Sequence, residues 1–236
     1  MARFHLEPES WGETATLTGE EAKHCLRVLR ARVGDRITVF DGLGRSADAE
    51  IVALSRDQAR LKLGAITHEP PPAVEVVLGQ AVLKGKAMEL LLQKAVELGA
   101  HAIQPLLTRH AVAQPGQGKE DKWRRVVMEA CKQCGRSRIP EVLPVRALDD
   151  WLGGAPDGQR MVASLAPGAV PMREQVAAMG ASPRIVVLVG PEGDFAADEL
   201  AAATDAGFAP VRLGDAVLRA ETAGIYCLAA INYAFS

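Results

Sequence analysis

The chain has 236 residues, 48% of them hydrophobic and 24% charged, with 27 Lys and Arg against 29 Asp and Glu. That length and apolar share suit one large or two small globular domains and exclude a disordered chain, while a net charge of -2 excludes a uniformly basic nucleic-acid binder. No run approaches the ~18 apolar residues of a membrane helix, Met1 to His5 lacks the apolar core of an export signal, and four cysteines without such a signal give the cytoplasm as the expected compartment, with no membrane partner.

In chain order, the first 70 residues read as a small β-rich unit. Thr18-Gly19-Glu20-Glu21 opens a short helix, with Thr18 as its cap and acids in the first turn. Arg36 to Phe40 reads as a strand ending at the turn signal Asp41-Gly42-Leu43-Gly44, and residues 49–54 and 59–63 follow as strands. Glu69-Pro70-Pro71-Pro72 then forbids regular pairing and makes a stiff linker. The expected domains are therefore 1–70 and 73–236.

Beyond the prolines, strands alternate with helices. Residues 74–78 form a strand, and Lys84 to Leu98 a helix with apolar Met88, Leu91, Leu92, Ala95 and Leu98, closed by Gly99. His101 to Leu107 is the next strand. Lys122 to Cys134 is amphipathic, with Trp123, Val126, Val127 and Ala130 inward and basic residues outward. Strands follow at 161–165, 185–189 and 210–213, and a last helix runs from Glu221 to Phe235. The run Ile185 to Val189 is apolar throughout, which suits a strand covered on both faces in a parallel sheet. The fold class is α/β in layers.

Charge is unevenly spread. Residues 151–236 carry 5 basic and 9 acidic side chains, whereas 73–150 carry 12 and 9. Two windows, Lys23 to Arg36 and Lys119 to Arg138, are each net +4. One such run is usually a solvated face; two of them beside an acidic last third point to a polyanion.

Two loops sit where an open α/β sheet collects ligands, after the carboxyl ends of strands. One is Gly190-Pro191-Glu192-Gly193-Asp194-Phe195, after the most apolar strand. The other runs from Leu213 to Ala223. Neither is a dinucleotide fingerprint or a phosphate-binding loop. Cys131-x-x-Cys134 lies on a helix without a second pair, so no metal is expected. The five histidines show no ligand spacing.

These motifs resemble a known family. Gly190-Pro191-Glu192-Gly193, Leu213-Gly214 and Leu218-Arg219-x-Glu221-Thr222-Ala223 look like the C-terminal signature of the RsmE family, the SPOUT-class ribosomal RNA uridine-N3 methyltransferases. Upstream, Lys84-Gly85, Glu97-Leu98-Gly99, Ile103-x-Pro105, Thr108 with Arg109, and Gln133-Cys134-Gly135-Arg136 with Pro140 fit as well. So do Arg3-Phe4, His24-x-x-x-Val28-Leu29-Arg30 and Gly34-Asp35, and the likeness covers essentially the whole chain. It departs at Asp194, where the family usually has a second glycine, at His110, where it has serine, and at Asp215-Ala216, where Pro-Arg is common.

The resemblance implies a PUA-like β-barrel assisting RNA binding, then a SPOUT-type parallel sheet with a C-terminal trefoil knot. It further implies S-adenosylmethionine as cofactor, a homodimer, and methylation of N3 of one uridine in 16S ribosomal RNA of the small subunit. By position, Leu165, Leu188, Gly190, Pro191, Glu192, Gly193, Leu213, Gly214, Val217, Leu218, Thr222 and Ala223 are expected to bind the cofactor. Arg219 would face the negative charge that develops on the uracil, and Glu221, or a water it holds, would take the N3 proton. An ordinary helix-terminal acid and a plain salt bridge or phosphate contact are the alternatives for Glu221 and Arg219. Arg3, Arg27, Arg30, Arg125, Arg136 and Arg138 are the expected RNA contacts, Arg136 foremost. A non-catalytic RNA-binding or ribosome-assembly protein on the same fold is the competing reading, though it leaves the two glycine-bearing loops without a purpose.

Overall fold

The structure, a computed structural model, describes residues 1–111, 115–116, 118–180 and 182–235. The chain divides into two compact units, Met1–Pro71 with Met128–Ile139, and Pro72–Val127 with Pro140–Ser236.

The first unit holds β1 (Arg3–His5), β2 (Thr14–Leu17), α1 (Gly19–Lys23), a π-helical turn over His24–Val28, β3 (Arg36–Phe40), β4 (Arg45–Leu54) and β5 (Ala59–His68). Alternation along β4 turns Ala47, Ala49 and Ile51 inward and leaves Asp48, Glu50 and Val52 exposed. With Phe4, Leu6, Leu17, Ile37, Val39 and Leu61 they form one apolar core, which Ala22 and Cys25 of the helical stretch complete. The strand order is β1-β3-β4-β5-β2. No ladder joins β1 to β2 among the described residues, so the expected barrel is, in its hydrogen bonding, an open five-stranded sheet. Thr18 does stand at the start of α1, but its hydroxyl makes no capping bond.

The Asp41–Gly44 turn shows why this unit also claims a distant segment. The buried Asp41 carboxylate accepts from the backbone N–H groups of Leu43 and Arg45 at 2.8 and 2.9 Å and from the Arg45 guanidinium at 2.6 Å. Gly44 has φ +111°, and a Cβ there would meet the Arg138 guanidinium at 2.9 Å. Its N–H donates to the Ser137 carbonyl, and Ile139 N–H donates to the Gly42 carbonyl. Residues 136–139 are therefore pinned on the β3–β4 turn, and the expectation that 73–236 forms one continuous domain is corrected for Met128–Ile139.

The second unit contains β6 (Glu75–Ala81), α2 (Lys86–Glu97), β7 (Ala102–Leu107), the start of α3 (Lys119–Cys134), β8 (Glu141–Val142), β9 (Arg146–Ala147), α4 (Leu148–Leu152), β10 (Gln159–Ala163), β11 (Val170–Pro171), α5 (Met172–Ala178), β12 (Arg184–Val189), α6 (Ala197–Asp205), β13 (Ala209–Arg212) and α7 (Ala220–Phe235). Their order is β11-β13-β10-β12-β6-β7-β8, with β9 beside β7, and every pairing is parallel. β12 is buried from Ile185 to Val189, as a strand between helix layers must be. The direction of winding reverses between β6, whose neighbour β7 follows it, and β12, which enters on its other side. Such a switch point opens a crevice at the strands' carboxyl ends.

Candidate active site

The carboxyl ends of three adjacent strands, β13, β10 and β12, surround a cavity of about 320 Å³. This lies within the roughly 300–1,000 Å³ of small-molecule sites. Ser164 and Leu165 come from the end of β10, residues 190–194 from the end of β12, and Leu213, Gly214 and 216–218 from the end of β13; Ala220 and Ala223 of α7 close the wall.

The turn after β12 is tied down on several sides. Asp194 N–H donates to the Pro191 carbonyl at 3.0 Å. Asp194 has φ +58°, a left-handed conformation that favours glycine, and its carboxylate accepts from Phe195 N–H at 2.7 Å. An aspartate can thus stand where the family usually has glycine, because its side chain bonds locally. His110 Nδ1 lies 3.2 and 3.1 Å from the carbonyls of Gly193 and Asp194. Both are acceptors, so that nitrogen carries the proton. The two departures from the family pattern are therefore in contact with each other. Behind them, the buried Glu199 carboxylate accepts from Ala196 N–H at 2.9 Å and Arg109 N–H at 2.7 Å. The Arg109 guanidinium grips Asp198 with both its terminal nitrogens and holds that carboxyl below the usual carboxylate range.

The turn after β13 is the opposite. Gly214, Asp215, Ala216 and Val217 are exposed, Val217 by 77%. Among the described residues Asp215 pairs only with Arg212, at 3.8 Å. Arg219 is exposed and Glu221 half-buried, and neither side chain has a hydrogen-bond or ion-pair partner among the described residues.

Of the residues expected at the cofactor, Leu165, Gly190, Pro191, Glu192, Gly193, Leu213, Gly214, Val217, Leu218 and Ala223 line this one cavity. Leu188 does not: it is fully buried inside β12, packed in the core that contains Val162 and Phe208. Thr222 is exposed on α7 outside the wall, and Arg219 and Glu221 flank the lining residues Leu218 and Ala220. Reading by motif did not assign Ala163, Ser164, Val189, Asp194, Ala216 and Ala220 to the site, and these also line the cavity. The usable signal was their place at strand ends and helix starts.

The expected RNA arginines divide. Arg27 and Arg30 in the first unit, and Arg125 in the second, are exposed. Arg3 donates to Arg136 O and Ser137 Oγ at 3.3 and 3.0 Å, Arg138 donates to the Glu69 carbonyl, and Arg136 pairs with the Glu69 carboxylate at 3.8 Å. These three are committed within the first unit. Cys131 is buried, its thiol pushed up by that burial to about 12, while Cys134 is exposed. No cluster of three or more His, Cys, Asp or Glu among the described residues could hold a metal, and no helix is long and apolar enough to cross a membrane.

The walls suit a flat, cationic, partly apolar ligand. Leu165 and Val217 expose apolar side chains there, Glu192 and Asp194 supply acids, and Gly190, Gly193 and Gly214 bring backbone polar groups within reach of a ligand. An RNA methyltransferase domain accompanied by a PUA domain is the class to which family models match this chain. The family model of the former matches residues 69–232, and that of the latter residues 17–64. A Synechocystis protein called ribosomal RNA small subunit methyltransferase E is 32% identical, over 98% of this chain and 77% of its own length. Its Mycobacterium tuberculosis namesake is 34% identical, over 94% and 87%. The crystal structure of the Neisseria gonorrhoeae namesake bound to S-adenosyl methionine superposes with a TM-score of 0.89 at 32% identity, covering 99% of this chain and 97% of that one. The chain belongs to the ribosomal RNA small subunit methyltransferase E family.

Proposed function

We propose that this protein transfers a methyl group from S-adenosylmethionine to N3 of one uridine in 16S ribosomal RNA. The observation that carries the reading is the convergence of ten of the expected cofactor residues on a single cavity at the strand ends. S-adenosylmethionine supplies an electrophilic methyl on a sulfonium, whose positive charge the acids Glu192 and Asp194 favour. Leu165, Val217 and Leu218 would offer apolar packing for its adenine, and backbone groups of Gly190, Gly193, Leu213 and Gly214 would be available to its polar atoms. Much of the rate comes from orientation, since N3 would attack the methyl carbon in line as the carbon–sulfur bond breaks and S-adenosylhomocysteine leaves as a neutral thioether.

Uracil N3 carries a proton that must leave, and the charge then spreads over O2 and O4. Arg219, exposed and without a partner among the described residues, balances that charge. Glu221, one turn edge away and also unpartnered, takes the N3 proton directly or through a water. The base has to leave its stack to reach either group. Arg27 and Arg30 in the first unit and Arg125 in the second contact phosphates, which makes binding fall steeply with salt; Arg3, Arg136 and Arg138 shape the first unit and contribute to RNA affinity through it.

The proposal includes cytoplasmic action on the small subunit, a homodimer through α7, whose Tyr226 and Tyr233 are exposed, and a C-terminal trefoil knot. The return of the chain from β13 at one side of the sheet to α7, which packs on β6, β12 and α2 near its centre, supports the knot. The test is mass mapping of 16S ribosomal RNA from cells with and without the protein, followed by methylation of the unmodified small subunit in vitro. Loss and restoration of one N3-methyluridine is the expected result. An unchanged modification map, with no S-adenosylmethionine binding and RNA affinity intact, would favour a non-catalytic ribosome-assembly role.

A further inference from the structure

We propose that Gln80 on β6 is a positioning residue that sets both walls of the methyl-donor cavity; the inference rests on the function proposed above. β6 is buried from Val76 to Ala81, and Gln80 is the one residue of that stretch with a polar side chain. It is 0% exposed. Its Nε2 lies 3.3 Å from the Ala81 carbonyl and 3.4 Å from the Gly190 carbonyl. Two carbonyls on one side fix which end of the carboxamide faces them, because an oxygen there would oppose two oxygens.

The other end is thereby turned towards α7. Oε1 is buried with no donor among the described residues, and a Cβ on Gly224 would stand 2.8 Å from it and 2.8 Å from Leu91 Cδ1. One carboxamide therefore holds the first residue of the β12 turn and bears on the helix that supplies Ala220 and Ala223. Val189, which lines the cavity, is its partner in the β6–β12 register. A leucine or methionine would fill this space without burying an orphaned oxygen, so the carboxamide is retained at a cost to the core. Such a local violation marks a place where geometry is served ahead of stability. Gln104 on the neighbouring β7 makes the contrast: its Nε2 gives bonds of 3.0 and 2.6 Å to the carbonyls of Pro105 and Pro144, away from the cavity. The longer Gln80 contacts are of the kind that tighten once a bound ligand fixes the carbonyl they hold.

The test compares wild type, Gln80→Met and Gly224→Ala in the full chain, by calorimetric titration with S-adenosylmethionine and initial-rate methylation of unmodified small subunits. Gln80→Met is expected to raise Kd and KM for S-adenosylmethionine by about tenfold, with kcat at saturation within about threefold of wild type. Gly224→Ala pushes on the same carboxamide and on Leu91 Cδ1, each 2.8 Å from its Cβ; the part that acts through the carboxamide weakens the donor in the wild-type background and is absent on Gln80→Met. Unchanged donor affinity in folded Gln80→Met, a fall in kcat at constant KM, or equal Gly224→Ala effects in both backgrounds overturns the proposal. Should Gln80→Met fail to fold, wild-type donor affinity in Gly224→Ala overturns it alone. A wild-type protein that binds no S-adenosylmethionine defeats the proposed function, whereas wild-type binding with indifferent variants defeats only the role of Gln80.

Discussion

The two turns that wall the cavity are built to opposite plans. Residues 190–195 are braced from behind and beside: Pro191 and Asp194 close the turn, His110 bears on two of its carbonyls, and Glu199 stitches the start of α6 to residue 109. Residues 214–217 are exposed and carry a single long ion pair among the described residues. One wall is held by the chain's own hydrogen bonds; the other has few such ties. A segment with few ties of its own would pay conformational entropy if a ligand ordered it.

The comparison can be broken most directly at Arg219, on the loosely held side. Arg219→Ala is expected to lower kcat by about 10²–10³-fold while leaving the donor Kd within about twofold, as loss of a charge-stabilising donor does. Single-turnover methylation of small subunits reads this; a loss of donor affinity instead would make Arg219 a cofactor ligand.

Glycine substitutions sharpen the contrast. No heavy atom lies within 4 Å of where a Gly214 Cβ would stand, but one on Gly190 would meet the Phe195 ring at 3.2 Å. Gly214→Val should keep the melting temperature and lose about tenfold in donor affinity, a cost of about 1.4 kcal/mol. Gly190→Val should destabilise the fold by about 1–3 kcal/mol through overpacking, seen as a lower denaturation midpoint. Equal stability in the two variants would erase the distinction between the walls.

Hydrogen exchange follows as a smaller effect. Saturating S-adenosylmethionine is expected to slow amide exchange more at 214–219 than at 190–195, whose N–H groups are already partly engaged. The smallest effect lies in the first unit and serves as a control. Burial raises the Asp41 carboxyl, but the bonds from Arg45 and from the N–H groups of Leu43 and Arg45 outweigh it, so the group sits below its ordinary value. Its stabilisation is therefore present above the unfolded value of about 3.9 and is lost as pH falls through the lower folded value. Asp41→Asn should cost about 1–3 kcal/mol at pH 7, and the gap to wild type should close as the pH falls through the lowered folded value, by denaturant titration across pH. Donor affinity is expected to stay the same.

The parts of this molecule legible in its sequence are those set by local pattern. The all-apolar run at 185–189 announced a buried parallel strand, and the glycine-bearing loops announced the cavity, because strand ends in parallel sheets gather ligands whatever the chain order. Motif proximity alone does not tell that the Leu188 side chain lies in the core rather than in the cavity wall, because successive side chains along a strand point to opposite faces. Arg3, Arg136 and Arg138 read as free cations because composition carries no partner information, and Glu69 and Ser137 are remote from Arg3 in sequence. The β1–β2 seam and the docking of residues 136–139 on the Asp41 turn are long-range outcomes that no window of residues encodes. Gln80 hid in plain view, a polar letter in an apolar strand, since its meaning depends on Gly190 and Gly224, more than a hundred residues away.

The measurement that bears most directly on this account is a crystal structure of the protein with S-adenosylmethionine bound. The account predicts the sulfonium between the backbone of residues 190–193 and the side chains of Val217 and Leu218, with its methyl on the side of Arg219. A donor found elsewhere on the chain, with both turns empty, would contradict it.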